Sequence, residues 1–158
     1  MTHWPIADLV PHAGDVILLD EVLGFDAESL RARAVVRASG PFHLEDGTLP
    51  NWLGLEFMAQ AVAAWAGCQA RAANQPVELG FLLGTRRYEC TLAAFTAGMV
   101  LDIEVARSLQ DDSGMGVFEC RIFRDGAEIA VARLNVYRPR DVNTFVQEPL
   151  ASQGSQPH

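Results

Sequence analysis

Cysteine is scarce, positive charge is in the minority, and there is no internal repeat and no long uninterrupted apolar run. Cys68, Cys90 and Cys120 are odd in number and far apart, with no CxxC pair and no His/Cys metal spacing. That spacing offers no disulfide framework and no zinc-type site, and it fits reduced, mostly buried thiols in a cytoplasmic protein. Twelve basic residues stand against twenty acidic ones, for a net charge of −8. Such a chain is a poor match for nucleic acid or an anionic membrane surface. The opening MTHWPIADLVPH has no basic segment followed by an apolar stretch, so no signal peptide is expected. No metal or nucleotide motif is present, and no cofactor is expected. The longest apolar run is broken by Glu56 and Gln60 and falls short of the ~20 residues of a membrane-spanning helix.

What the chain does have is apolar content and pattern. With 158 residues, 49% of them hydrophobic, it has enough material for one domain with a sizeable core. The expected domain covers residues 1–140, with a Gln/Ser/Pro/Gly-containing tail over 141–158 that reads as disordered. The run Pro50 to Gly67, PNWLGLEFMAQAVAAWAG, predicts a helix over Leu53 to Cys68. Its apolar residues spread around most of the circumference, which predicts burial nearly all round. Pro50 suits the entrance and Gly67 the exit. Glu56, Gln60, Ala63 and Gly67 fall on one narrow stripe, two polar groups with two small ones. Something can lie along that stripe, and a carboxylate faces it.

The remaining segments read mainly as strands. Ala7 to Val10 fits a single helical turn. Val16 to Leu23 is short, apolar and β-branched at its start, which favours a strand. Ser29 to Arg37 alternates, with Leu30, Ala32, Ala34 and Val36 inward and Arg31, Arg33 and Arg37 outward. Ser39 to Thr48 is a loop that leads into the helix and carries His43. Val77 to Cys90 predicts a strand broken or bulged near Gly80 or Gly84. Met99 to Arg107 alternates again. Val117 to Arg124 and Glu128 to Tyr137 flank Asp125-Gly126, a hairpin signal, and Pro139 ends the last strand. Two strands, one buried helix and about four more antiparallel strands make an α+β layer fold, a curved antiparallel sheet around one long central helix. An unpaired sheet edge invites a second copy.

On these residues the chain resembles the hotdog fold, and more narrowly the beta-hydroxyacyl-acyl-carrier-protein dehydratases. The resemblance is carried by Leu9-Val10-Pro11-His12, by LLDEV at Leu18 to Val22, and by Leu49 to Gln60. In that family a helix entered through a proline carries an acidic residue six positions later and a glutamine four beyond it. Pro50, Glu56 and Gln60 keep those spacings. Phe81-Leu82-Leu83-Gly84 also resembles the family's strand after the helix. Together, LPNWLGLEFMAQAVAAWAG and GFLLGTRRYE are similar to dehydratase-like components of polyene and other specialised fatty-acyl gene clusters. Two positions depart from the pattern. Aligned without a gap, the family histidine falls on Phe42, and a one-residue deletion brings His43 into register. Asn51 replaces the glycine after the proline.

The resemblance implies loss of water from a 3-hydroxyacyl thioester on acyl carrier protein. It gives His43 the role of base and Glu56 that of acid partner, with the two residues meeting across a dimer interface. Asn51, Trp52, Gln60, Phe81 and Gly84 are then substrate-binding positions. The acyl chain runs along the helix, and the helix start polarises the carbonyl. Arg86 and Arg87 offer a docking pair for an acidic carrier protein. The implied assembly is a homodimer, or a heterodimer with a related hotdog subunit. Plainer readings stand beside these. Glu56 can be a buried carboxylate paired with Arg86 or Arg87, His43 an ordinary loop histidine, His12 a structural residue, and Gln60 an orienting hydrogen-bonder. Trp52, Trp65 and Phe57 are most simply core or interface aromatics. Two other functions fit the same residues: a catalytically weakened subunit that partners an active dehydratase, and an acyl thioesterase in which the helix carboxylate activates water.

Overall fold

The computed structural model describes residues 4–76, 81–110 and 114–137; the side chains of 81–83, 109 and 110 are outside that set. Strands β1 (Glu21–Phe25) and β2 (Ser29–Val35) form the first hairpin. A two-residue strand β3 (Leu49–Pro50) and a 3₁₀ turn (Asn51–Leu53) lead into helix α1 (Gly54–Ala72). Then come β4 (Phe81–Cys90), the short β5 (Ala94–Phe95), β6 (Val100–Gln110), β7 (Met115–Arg124) and β8 (Ala127–Tyr137). Six strands make one antiparallel sheet in the order β1-β2-β6-β7-β8-β4, and β3 pairs with β5 apart from it. This is the expected α+β arrangement, with one helix packed on an antiparallel sheet.

Alternation decides which face the helix covers. Leu30, Ala32 and Ala34 of β2 pair with Val105, Ile103 and Leu101 of β6, and all six are buried. The row continues through Cys120 and Ile122 of β7 to Ala132 and Ala130 of β8. Alanines on β2 and β8 keep this face low, so α1 can lie close. Trp65 of α1 packs edge-on against Phe118 (centroids 5.4 Å apart), and Phe57 does the same against Phe95 (5.7 Å). On the outer face, Arg33–Asp102 (2.8 Å) and Arg133–Glu119 (2.7 Å) are cross-strand ion pairs. Each is worth only about 0.2–1 kcal/mol, so packing on the inner face carries the stability.

Three boundaries differ from the sequence expectation. The helix runs past Gly67 to Ala72. It stops where Asn74 takes a left-handed φ of 56° and Gln75 N–H reaches back to the Ala70 carbonyl. Asparagine is the usual substitute for glycine in this kind of stop. The strand expected from Val16 begins only at Glu21, because a 3₁₀ turn occupies Gly14–Val16 and the backbone of Val16 and Leu18 bonds to a helix side chain. The expected first turn falls on Ile6–Asp8. In β4 the register slips at Leu82/Gly84, as expected near Gly84, and again at Thr85/Arg87. Gly80, Pro139 and the expected tail over 141–158 lie outside the described residues.

Candidate active site

The stripe on α1 is occupied by the chain's own N-terminal segment. Gly67 is where Leu9 crosses: a Cβ built on it would lie 2.3 Å from the Leu9 carbonyl oxygen. Further toward the helix start, Gln60 is the one buried polar side chain among the described residues. Its Oε1 accepts from Leu18 N–H at 2.8 Å, and its Nε2 donates to the Val16 carbonyl at 2.7 Å. The same Nε2 donates to Glu56 Oε2 at 3.0 Å. The Gln60 amide thus bonds the carboxylate and also anchors the segment that covers it. No backbone ladder is available to Val16 and Leu18 at this point, and the buried amide supplies the missing partners.

Glu56 sits in the first turn of α1, where the helix dipole favours negative charge. It is one-third exposed, and His12 Nε2 lies 3.3 Å from its Oε2. Neither Arg86 nor Arg87 pairs with it; Arg87 bonds Glu89 at 3.0 Å. His12, a structural residue on the sequence reading, stands at the carboxylate in the structure. The signal for this is the small residue at Gly67: a glycine in a polar stripe marks close approach of backbone. What approaches is the segment leading from Leu9 to His12.

His43 stands elsewhere in the chain. Its Nε2 is 2.8 Å from the Arg37 carbonyl, while Nδ1 is buried without a partner and lies behind Gly40. Bonding to a carbonyl makes Nε2 the N–H nitrogen. Arg37 in turn donates to the Ile17 carbonyl at 2.7 Å and lies 3.5 Å from Asp20. His43 therefore ties the loop to the end of β2 and, through Arg37, to the segment that flanks the site. With Asp15, Leu18, Leu49 and Phe57 it lines a cavity of about 20 Å³, room for one water. Within the single chain, His43 makes no hydrogen bond or ion pair with Glu56.

The helix entrance is bolted to the sheet. Tyr88 of β4 donates to the Asn51 carbonyl at 2.5 Å, and Asn51 Nδ2 donates to the Leu92 carbonyl at 3.1 Å. Gly54 leaves room for the tyrosine, whose hydroxyl would sit 2.1 Å from a Cβ at that position. Burial pushes the Tyr88 phenol well above its ordinary range, so it stays a donor. The Asn51 side chain is thereby committed to the protein, and so is its carbonyl, which accepts from Tyr88 and from the Gly54 N–H. Trp52 is 58% exposed, which excludes a core role; Phe57 and Trp65 are core. Gly84 has open space around it. The side chain of Phe81 lies outside the described set. Arg86 occupies the second β4 slip, on the edge strand, and has no ion pair or hydrogen bond among the described residues.

A family model for ApeP-like dehydratases matches residues 4–147. The chain belongs to the ApeP-like dehydratase family. A solved dehydratase heterocomplex, ApeI:P from Xenorhabdus doucetiae, contains a chain 34% identical to this one. It superposes with a TM-score of 0.83, and the match covers 92% of this chain and 97% of that one. More distant structures include the TT0310 protein of Thermus thermophilus (14% identity, TM-score 0.57, 75% of this chain and 90% of that one). Another is the PaaI protein of E. coli (14%, 0.57, 74% and 81%). At those identities they share the hotdog fold alone. No curated protein matches. Among the described residues, no helix is long and apolar enough to cross a membrane.

Proposed function

We propose that the chain removes water from a 3-hydroxyacyl thioester. The observation that carries this reading is Glu56, held in the first turn of the central helix by Gln60 in a chain of the ApeP-like dehydratase family. Dehydration takes a proton from C2, next to the thioester carbonyl, and gives one to the hydroxyl leaving C3. A partly exposed carboxyl at a helix start suits the second task. The helix N-terminus supports negative charge as it develops on the carbonyl oxygen. For the base, His43, the dehydratase resemblance implies an arrangement in which it meets the carboxylate across an interface between subunits.

Acyl carrier protein is the proposed carrier. Of the two adjacent arginines, Arg86 is the docking residue, because Arg87 already has Glu89. An exposed guanidinium without a partner meets an acidic surface with no internal pair to break. The assembly is a dimer with a second hotdog subunit, identical or related. Edge strand β4 carries the bolt to the helix entrance, and the ApeI:P structure is a dehydratase heterocomplex. That same complex keeps a second reading alive, in which this chain is the weaker partner of an active subunit.

The test uses the purified chain, alone and then with a co-expressed related subunit, and a 3-hydroxyacyl carrier-protein thioester. Mass spectrometry follows enoyl thioester and free thiol. Enoyl product from the chain alone supports the stand-alone enzyme. Product only with the second subunit supports the partner reading, and released thiol with free acid would replace both by a thioesterase.

A further inference from the structure

Two nitrogens converge on one oxygen of Glu56. Gln60 Nε2 donates to Oε2 at 3.0 Å, and His12 Nε2 stands 3.3 Å from the same atom. The orientation of the Gln60 amide is fixed by its surroundings. Leu18 N–H can only donate, so Oε1 of Gln60 faces it and Nε2 faces the Val16 carbonyl and the carboxylate. The other carboxylate oxygen, Glu56 Oε1, has no partner among the described residues. Glu56 is 32% exposed and His12 27%. The segment that carries His12 is held against α1 by Leu9 at Gly67 and by Val16 and Leu18 at Gln60.

We propose that His12 is a positioning residue of this active site: with Gln60 it occupies Oε2 of Glu56, so that Oε1 is the oxygen that handles the proton. This rests on the dehydratase reading. In the reaction, the proton on Oε1 moves to the 3-hydroxyl oxygen and the C3–O bond breaks, its electron pair leaving with water. The C2–H electron pair becomes the C2=C3 bond, and the C2 proton goes to the base. Oε2 keeps the Gln60 N–H donor, with His12 Nε2 beside it, whether Glu56 is protonated or not, so nothing has to reorient as the charge changes. The device lies within one chain, whichever subunit supplies the base.

The experiment compares His12→Ala, His12→Gln, Glu56→Gln and the double variant His12→Ala/Glu56→Gln in the full chain, with the partner subunit if turnover requires it. It reads kcat, KM and melting temperature. Losing the His12 contact at the carboxylate predicts a fall in kcat of about tenfold or more for His12→Ala, with KM little changed. His12→Gln, which can still donate, recovers part of that loss. Adding His12→Ala to Glu56→Gln costs nothing further, because the two act as one unit. Wild-type kcat in His12→Ala, or losses that multiply in the double variant, would overturn the inference while leaving the dehydratase reading standing. A wild type that forms no enoyl thioester overturns that reading and the proposed role together. Melting then decides the contact: losses that do not add in the double variant keep the His12–Glu56 pairing, and additive losses remove it.

Discussion

Replacing Gly67 with alanine sets two known effects against each other. In an isolated helix the change is favourable by about 1 kcal/mol, because glycine is a poor helix former. Here the new Cβ would lie 2.3 Å from the Leu9 carbonyl oxygen, 2.8 Å from its Cα and 2.9 Å from its carbonyl carbon. These are backbone atoms and have no rotamer to escape into. Either the contact is forced, at about 1–3 kcal/mol for overpacking, or the segment lifts. Lifting withdraws Leu9, which is fully buried, from the core at about 1.5–3 kcal/mol. The Leu9 backbone has no free direction and Val10 would follow it, so the unfavourable side wins. We expect a net loss of about 0.5–2 kcal/mol, a fall in melting temperature of about 1–8 °C for a chain of this size. Urea and thermal unfolding measure it, with Gly84→Ala as control: nothing lies within 4 Å of a Cβ there, and the change should stay within about 0.5 kcal/mol. A Gly67→Ala protein about 1 kcal/mol more stable than wild type would refute the packing of the N-terminal segment on the stripe, and with it the placement of His12.

Three further outcomes follow from the same contacts. Gln60→Leu leaves the buried Leu18 N–H without a partner, at about 1–3 kcal/mol, and strips the part-buried Val16 carbonyl of its donor; urea unfolding should show the loss, and an unchanged midpoint would contradict the brace. Burial pushes the Cys68 thiol up to about 11 and Cys120 higher still; with an aromatic disulfide reagent at neutral pH, only the half-buried Cys90 should react in the folded protein, and three fast thiols would contradict this core. Asp26 is held below its ordinary value by the Glu28 N–H, the Ser29 hydroxyl and the Ser29 N–H. Its contribution is therefore present above the ordinary carboxylate range and lost as pH falls through the folded value; the melting difference between wild type and Asp26→Asn should shrink from pH 6 to pH 3, and a gap that widens would reverse the sign.

Much of the fold is legible because it is written in period. Ser29 to Arg37 alternates, and its alanines and arginines fall on the faces expected of them. Pro50 to Gly67 is apolar nearly all round, and the helix is largely buried, with Leu55, Glu56, Ala59, Ala63 and Ala66 left partly exposed. Glu56 and Gln60 are readable from their spacing, and Gln60 bonds the carboxylate. What escapes is tertiary. His12 has no periodic signal of its own; its place depends on Leu9 fitting against Gly67 and on Gln60 taking the backbone of Val16 and Leu18. The same bonds remove those residues from the first strand. Gly67 looks like a helix end because glycine stops helices, but its use here is clearance, and Asn74 performs the stop. Tyr88 bolts the helix entrance to the sheet through a backbone carbonyl, and a motif reading has no access to that contact.

The most direct test of the chemistry runs the reaction backwards in ¹⁸O-water. A trans-2-enoyl thioester is incubated with the wild-type chain and with Glu56→Gln, with the related subunit added in parallel, and the position of the label is read by mass spectrometry. The account predicts ¹⁸O on C3 of an intact 3-hydroxyacyl thioester with wild type, and a loss of about 10²–10⁴-fold in its rate of formation with Glu56→Gln. Label in the carboxylate of a free acid, with thiol released and no hydroxyl at C3, would contradict it.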